Sequence, residues 1–174
     1  MSEYKNENDE LLAIQKAAKN KAQEVLNNLK VHSIKLALAE SCTAGLISAL
    51  IADIQGASLY LWGSFVCYTQ EAKVSMLDLD DERLAACGLV SRETADAMAK
   101  AAIKKSGANI AASVTGLAGP QGDGSNIPVG TVWISITQDN GKTETKEFHF
   151  TGSRNTVRYH AAIAVFDEII NALS

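Results

Sequence analysis

The sequence predicts an α/β fold, a three-layer α/β/α sandwich on a mostly parallel, mixed sheet of about five strands. Three observations carry that expectation. Short apolar runs at residues 34–39 and 109–114 each end abruptly in polar or flexible residues, as strands buried on both faces do. Stretches with a helical apolar period separate the strand candidates, the pattern of a βα-wound chain. A single Asn140-Gly141 pair between alternating segments marks one hairpin, and so an antiparallel addition to the sheet.

Taken in order, residues 1–8 are expected to be frayed and residues 9–174 to form one domain. From about Asp9, apolar residues recur at Leu11, Ile14, Ala18, Ala22, Val25, Leu26 and Leu29, one amphipathic helix. The run Ile34, Leu36, Ala37, Leu38 and Ala39 is the first strand. It breaks at Glu40-Ser41-Cys42-Thr43, and a helix is predicted over 43–54, stopped by Gly56. Such a break places small polar side chains at the strand's carboxyl end and aims the helix N-terminus at the same spot. Residues 59–68 suit a long strand with a bulge at Gly63. Two short helices follow, at 70–77 and within 77–88, the second with Asp80 or Asp81 near its start. Ser91 is the expected N-cap of a long helix reaching Gly107, with Thr94 where a capping box would have Glu.

Residues 109–114 form the next strand. The segment 116–126 holds four glycines and one proline, so it reads as a loop. It lacks the Lys-Ser/Thr ending of a phosphate loop and leads into a strand, not a helix. Residues 129–137 and 142–150 flank the hairpin, the second as a solvated edge. The last helix starts after Gly152-Ser153 and buries Val157, Ala161, Val165 and Ile169.

At 174 residues with 47% apolar content, the chain can build a full core without staples. A net charge of −4, with no basic run interleaved with aromatics, argues against nucleic acid as a partner. No apolar run is long enough for a membrane span, and the polar, acidic first residues are the opposite of a signal peptide. Three widely spaced cysteines, Cys42, Cys67 and Cys87, fit a reducing cytoplasm better than a disulfide framework. His32, His149 and His160 lack metal-ligand spacing, so no metal is predicted.

Right-handed crossovers put the carboxyl ends of the strands at 35–40 and 109–114 on one sheet edge. Ser41 and Thr115 then share a cleft, Tyr68 joins them if its strand is parallel, and Lys73 reaches over it. A serine nucleophile needs a base. No histidine is well placed, which leaves a Ser–Lys pairing whose lysine is held neutral by desolvation or by neighbouring positive charge. The plainer alternatives are a helix cap at Ser41, a solvated Lys73, a packed Tyr68 and a small core residue at Cys42, itself a second candidate nucleophile.

Four blocks in register carry a resemblance. Glu40-Ser41-Cys42-Thr43-Ala44-Gly45, Tyr68-Thr69-Gln70-Glu71-Ala72-Lys73, the run from Ser113 through Thr115 and Gly116 to Pro120, and Pro128-Val129-Gly130-Thr131-Val132 closely resemble the CinA C-terminal domain family, the nicotinamide-nucleotide amidohydrolases. The resemblance spans about residue 10 to the C-terminus. It implies the same mixed α/β/α sheet and hydrolysis of nicotinamide mononucleotide to nicotinic acid mononucleotide and ammonia, in pyridine nucleotide salvage. It also implies no metal or other cofactor, a small anionic nucleotide as the partner, and a homo-oligomer.

By matching position it makes Ser41 the nucleophile, Lys73 its base and Tyr68 an assistant in proton transfer or positioning. Arg154 is assigned to the substrate phosphate, and Cys42, Thr43, Gly45, Thr115 and Gly116 to the substrate site. Ala44 stands where the family more often has Gly, and is expected to tighten the backbone beside the nucleophile. Ser153 stands where the family often has Asp, and is expected to loosen whatever orients Arg154. Many family members carry an N-terminal nucleotide-pyrophosphatase-like domain, so this chain resembles the stand-alone type. The rival expectations are a catalytically idle nucleotide-binding relative of the same fold, and a general amidase or peptidase without phosphate dependence.

Overall fold

The computed structural model describes the backbone of residues 2–174 and the side chains of residues 9–174, so the expectation for residues 1–8 lies largely outside the described residues. The chain runs α1 (Ser2–His32), β1 (Leu36–Glu40), α2 (Leu46–Ala52), a 3-10 turn (Ala57–Leu59), β2 (Leu61–Val66), α3 (Gln70–Leu77) and α4 (Asp81–Cys87). It continues through α5 (Arg92–Ser106), β3 (Ile110–Gly116), β4 (Thr131–Gln138), β5 (Thr143–His149) and α6 (Arg154–Leu173). The sheet order is β2-β1-β3-β4-β5. β1 pairs in parallel with β2 and β3, while β4 is antiparallel to both its neighbours. That is the expected mixed sheet, with β5 at one edge and β2 at the other.

Alternation along β1 sets the two outer layers. Leu36 and Leu38 face a core built with α1, α2 and α6. Ala37 and Ala39 face the opposite side, with Ala111 of β3 and Met98 and Ala102 of α5. Large side chains on one face and alanines on the other allow α5 to lie close to the sheet centre, and period-two geometry enforces the separation. Beyond the helical ends the same alternation sends Glu40 toward α2, while Ser113 and Thr115 point toward α5. Ser113 Oγ donates to Ala95 O at 2.6 Å, and Thr115 Oγ1 donates to Leu89 O at 2.7 Å.

Several local expectations hold in detail. Asp80 caps α4 by accepting from Arg83 N at 2.8 Å, and Ser91 caps α5 by accepting from Thr94 N at 3.1 Å. Thr94 uses its own hydroxyl on Gly88 O at 2.6 Å, so it anchors the preceding turn instead of closing a capping box. The bulge in β2 appears as a register shift opposite Leu36/Ala37, with Gly63 at φ 148°.

The helix predicted over 43–54 is shorter and starts later, at Leu46. Thr43, Ala44 and Gly45 form a turn in which Ala44 (φ 51°) and Gly45 (φ 86°) are both left-handed. A side chain in that region costs about 1 kcal/mol, so the tightening expected at Ala44 takes the form of backbone strain. Ala44→Gly is therefore expected to raise the unfolding free energy by about 0.5–1 kcal/mol and the melting temperature by a few degrees, measured by thermal denaturation. An unchanged or lower melting temperature would show that the turn is not strained.

Candidate active site

β1 and β3 run side by side, and the ladder extends one residue past β1, where Ser41 N donates to Val114 O at 3.0 Å. This fixes Ser41 beside the end of β3. From the neighbouring edge, Thr69 caps α3 by accepting from Ala72 N at 3.1 Å, which holds Lys73 in the first turn of that helix. The lysine reaches inward. Its Nζ donates to Ser41 Oγ at 2.9 Å and to Cys67 O at 2.9 Å.

Both partners are shielded, Lys73 at 1% exposure and Ser41 at 7%. Burial pushes the Lys73 amine below its ordinary value of 10.5. Thiolates at Cys67 or Cys42 would oppose that shift. Burial instead holds the Cys42 thiol up at about 12 and the Cys67 thiol up at about 11, so both are uncharged near neutrality. No carboxylate pairs with Lys73 among the described residues. A buried amine without a counter-charge favours its neutral form, which is the form that takes a proton from a hydroxyl.

Ser41, Cys42, Tyr68, Lys73, Thr115, Gly116 and Arg154 line one pocket of about 250 Å³. Arg154 sits at its rim, donating from Nη1 to Gly119 O at 2.7 Å and from Nη2 to Tyr68 Oη at 2.6 Å. Tyr68 thus contacts the arginine, not the serine or the lysine, and its ring is half exposed. Thr115 lines the wall, but its hydroxyl proton goes to Leu89 O, so it holds the Leu89–Val90 side of the pocket. Gly116 is required by packing, since a Cβ there would stand 2.6 Å from Thr131 O.

Two residues assigned to the substrate site lie outside the pocket. Thr43 is fully buried and its hydroxyl donates to Glu40 Oε2 at 2.9 Å. Gly45 is the N-cap of α2, and its carbonyl accepts from Ser48 Oγ and Ala49 N. The α2 N-terminus is not offered to a ligand either. Glu40, fully buried, takes Ile47 N at 3.1 Å and Ser48 N at 3.0 Å, with Ser64 Oγ at 3.1 Å completing its shell. Those first-turn donors are satisfied from within the protein. The N–H groups of Cys42 and Thr43 remain free of any oxygen acceptor among the described residues, directly after the serine.

Two side chains went unrecognised in the sequence. Glu40 is one, and alternation along β1 is the signal that sends it to α2. The other is Arg158, one turn beyond Arg154 on α6, whose Nη2 donates to Thr43 O at 2.7 Å and braces the turn after Ser41. Its i, i+4 spacing from Arg154 was the available clue. Ser153 does not orient Arg154. It caps α6, accepting from Thr156 N at 3.3 Å. Among the described residues no cluster of three or more His, Cys, Asp or Glu is placed to hold a metal ion, and no helix is long and apolar enough to cross a membrane.

The family model described as CinA C-terminal domain matches residues 18–173. A CinA-like protein of Syntrophomonas wolfei is 44% identical over 133 residues, covering 76% of this chain and 32% of that protein. A CinA-like protein of Mycobacterium tuberculosis is 39% identical over 140 residues, covering 80% of this chain and 33% of that protein. The chain thus spans about a third of the length of these curated relatives. Solved structures match along nearly their whole length. The competence/damage inducible protein CihA of Agrobacterium tumefaciens has a TM-score of 0.86 at 34% identity, covering 90% of this chain and 95% of that one. The competence damage-inducible protein A of Klebsiella pneumoniae has a TM-score of 0.86 at 31% identity, covering 90% and 96%.

Proposed function

Because the chain belongs to the CinA C-terminal domain family, we propose that Ser41 and Lys73 hydrolyse the carboxamide of nicotinamide mononucleotide, giving nicotinic acid mononucleotide and ammonia. The observation that carries this is the 2.9 Å contact between a shielded lysine amine and a shielded serine hydroxyl on the floor of a pocket.

The neutral Lys73 amine takes the Ser41 proton as Oγ attacks the carboxamide carbon. In the neutral amine one N–H stays on Cys67 O while the 2.9 Å contact with Ser41 reverses, the hydroxyl donating to the nitrogen lone pair. Charge then develops on the carboxamide oxygen. The N–H of Cys42, the pocket residue directly after Ser41, is the donor for it, and losing one such donor typically costs on the order of 10²–10³ in turnover. The protonated Lys73 passes its proton to the departing nitrogen, which leaves as ammonia from an acyl-enzyme. Water, deprotonated by the same amine, cleaves the ester and restores both groups.

The substrate phosphate falls to Arg154 at the rim, whose planar guanidinium suits an oxyanion. Arg154→Ala is expected to raise KM on the order of tenfold or more, with a smaller loss in kcat. Steady-state ammonia release measures both, and an unchanged KM would remove Arg154 from substrate binding. The same assay tests the reaction itself. A protein that only binds the nucleotide shifts its melting temperature with ligand and yields no ammonia. Action in a reducing cytoplasm, as a homo-oligomer, belongs to this proposal. Sedimentation of the purified chain checks the oligomer.

A further inference from the structure

The pocket carries a cation and an anion that do not neutralise each other. Arg154 uses one bond from each terminal nitrogen on Gly119 O and Tyr68 Oη, which leaves further N–H donors for a phosphate. Asp123 is the one carboxylate among the residues lining the pocket. It is exposed on the loop after Gly122: Oδ1 accepts from Ser125 N at 3.0 Å, and Ser125 Oγ accepts in turn from Ile127 N at 3.2 Å. Hydrogen bonding from Ser125 holds the carboxyl below its ordinary value of 3.8, so it is an anion near neutrality. Only Ser125 donates to the carboxyl among the described residues, which leaves lone pairs on its oxygens without a protein donor.

If the carboxamide is bound at Ser41 and the phosphate at Arg154, the two ends of the nucleotide are fixed and its sugar lies between them. The segment carrying Asp123 lines this same pocket, and Arg154 is tied to that segment through Gly119. An ionised carboxylate only accepts hydrogen bonds, and a vicinal diol presents two donors to it. We propose that Asp123 accepts from the ribose 2′- and 3′-hydroxyls of the substrate and thereby selects a ribonucleotide. This assignment rests on the reaction proposed above.

The test is ammonia release by wild type, Asp123→Ala and Asp123→Asn, with nicotinamide mononucleotide and with its 2′,3′-dideoxy analogue. Asp123→Ala is expected to raise KM for the ribonucleotide about tenfold, as loss of bonds to a charged acceptor does. The effect on kcat should be the smaller one. With the dideoxy analogue the two proteins should have the same KM. Asp123→Asn keeps the oxygen that accepts from Ser125 N but puts an amide N–H₂, a donor only, where the second carboxylate oxygen was, so its KM should lie above that of the wild type and no higher than that of Asp123→Ala. A ribonucleotide KM indifferent to Asp123, or an equal rise with both substrates, overturns the assignment while leaving the reaction intact. No ammonia from the wild type overturns the reaction, and the assignment falls with it.

Discussion

Ser41→Ala is expected to lower ammonia release from nicotinamide mononucleotide by about 10³-fold or more, because it deletes the atom that forms the acyl-enzyme. The fold should survive. Ser41 holds its place through its backbone N–H to Val114 O, which alanine keeps, and Lys73 retains Cys67 O. Binding should survive too, since Arg154 and the pocket walls are untouched. The discriminating result is a variant that still gains thermal stability from the nucleotide but releases no ammonia. Turnover near that of the wild type would remove Ser41 from the chemistry.

Lys73→Met is expected to lower kcat by about 10²–10⁴-fold, the range of a general base, with KM little changed. A change confined to KM would make Lys73 a binding group instead. In the wild type the base must be neutral, so kcat/KM should rise with pH until the amine has lost its proton, at a pH below the ordinary 10.5. Stability follows with a definite sign. Folded Lys73 gives up its proton at a lower pH than the unfolded chain does. In the window between the folded value and 10.5 the unfolded state binds more protons, and wild-type stability rises with pH relative to Lys73→Met. Below that window the cost of burying the charged amine is fully present and the difference is flat. Paired denaturant titrations across pH measure this, and a difference that falls as pH rises would contradict a desolvated amine. The buried base thus costs stability at neutral pH and gains reactivity from the same desolvation.

The core pattern and the candidate site were legible to different depths. Ser41, Tyr68, Lys73 and Thr115 could be proposed for one cleft because strand ends in a βα-wound sheet converge on one edge, whereas Arg154 came from the family resemblance alone. Helix boundaries and donor use were less legible. The extent of α2 depended on a left-handed turn at Ala44 and Gly45, and periodicity does not encode that. The idea that α2 offers its N-terminus to the substrate failed because Glu40, four strand positions from Leu36, turns to the α2 face and takes those donors.

The amino-acid order by itself determined the layers, since apolar period is a local property: Leu36 and Leu38 on one face, Ala37 and Ala39 on the other, and a hairpin at Asn140-Gly141. Only the tertiary structure decided which polar atoms remain available. Thr43 and Glu40 are consumed by each other and by α2, Tyr68 by Arg154, and the Lys73 amine meets Ser41 from 32 positions along the chain. Hydrogen-bond partners at that separation are set by how the packed layers close, and no local pattern in the chain records them.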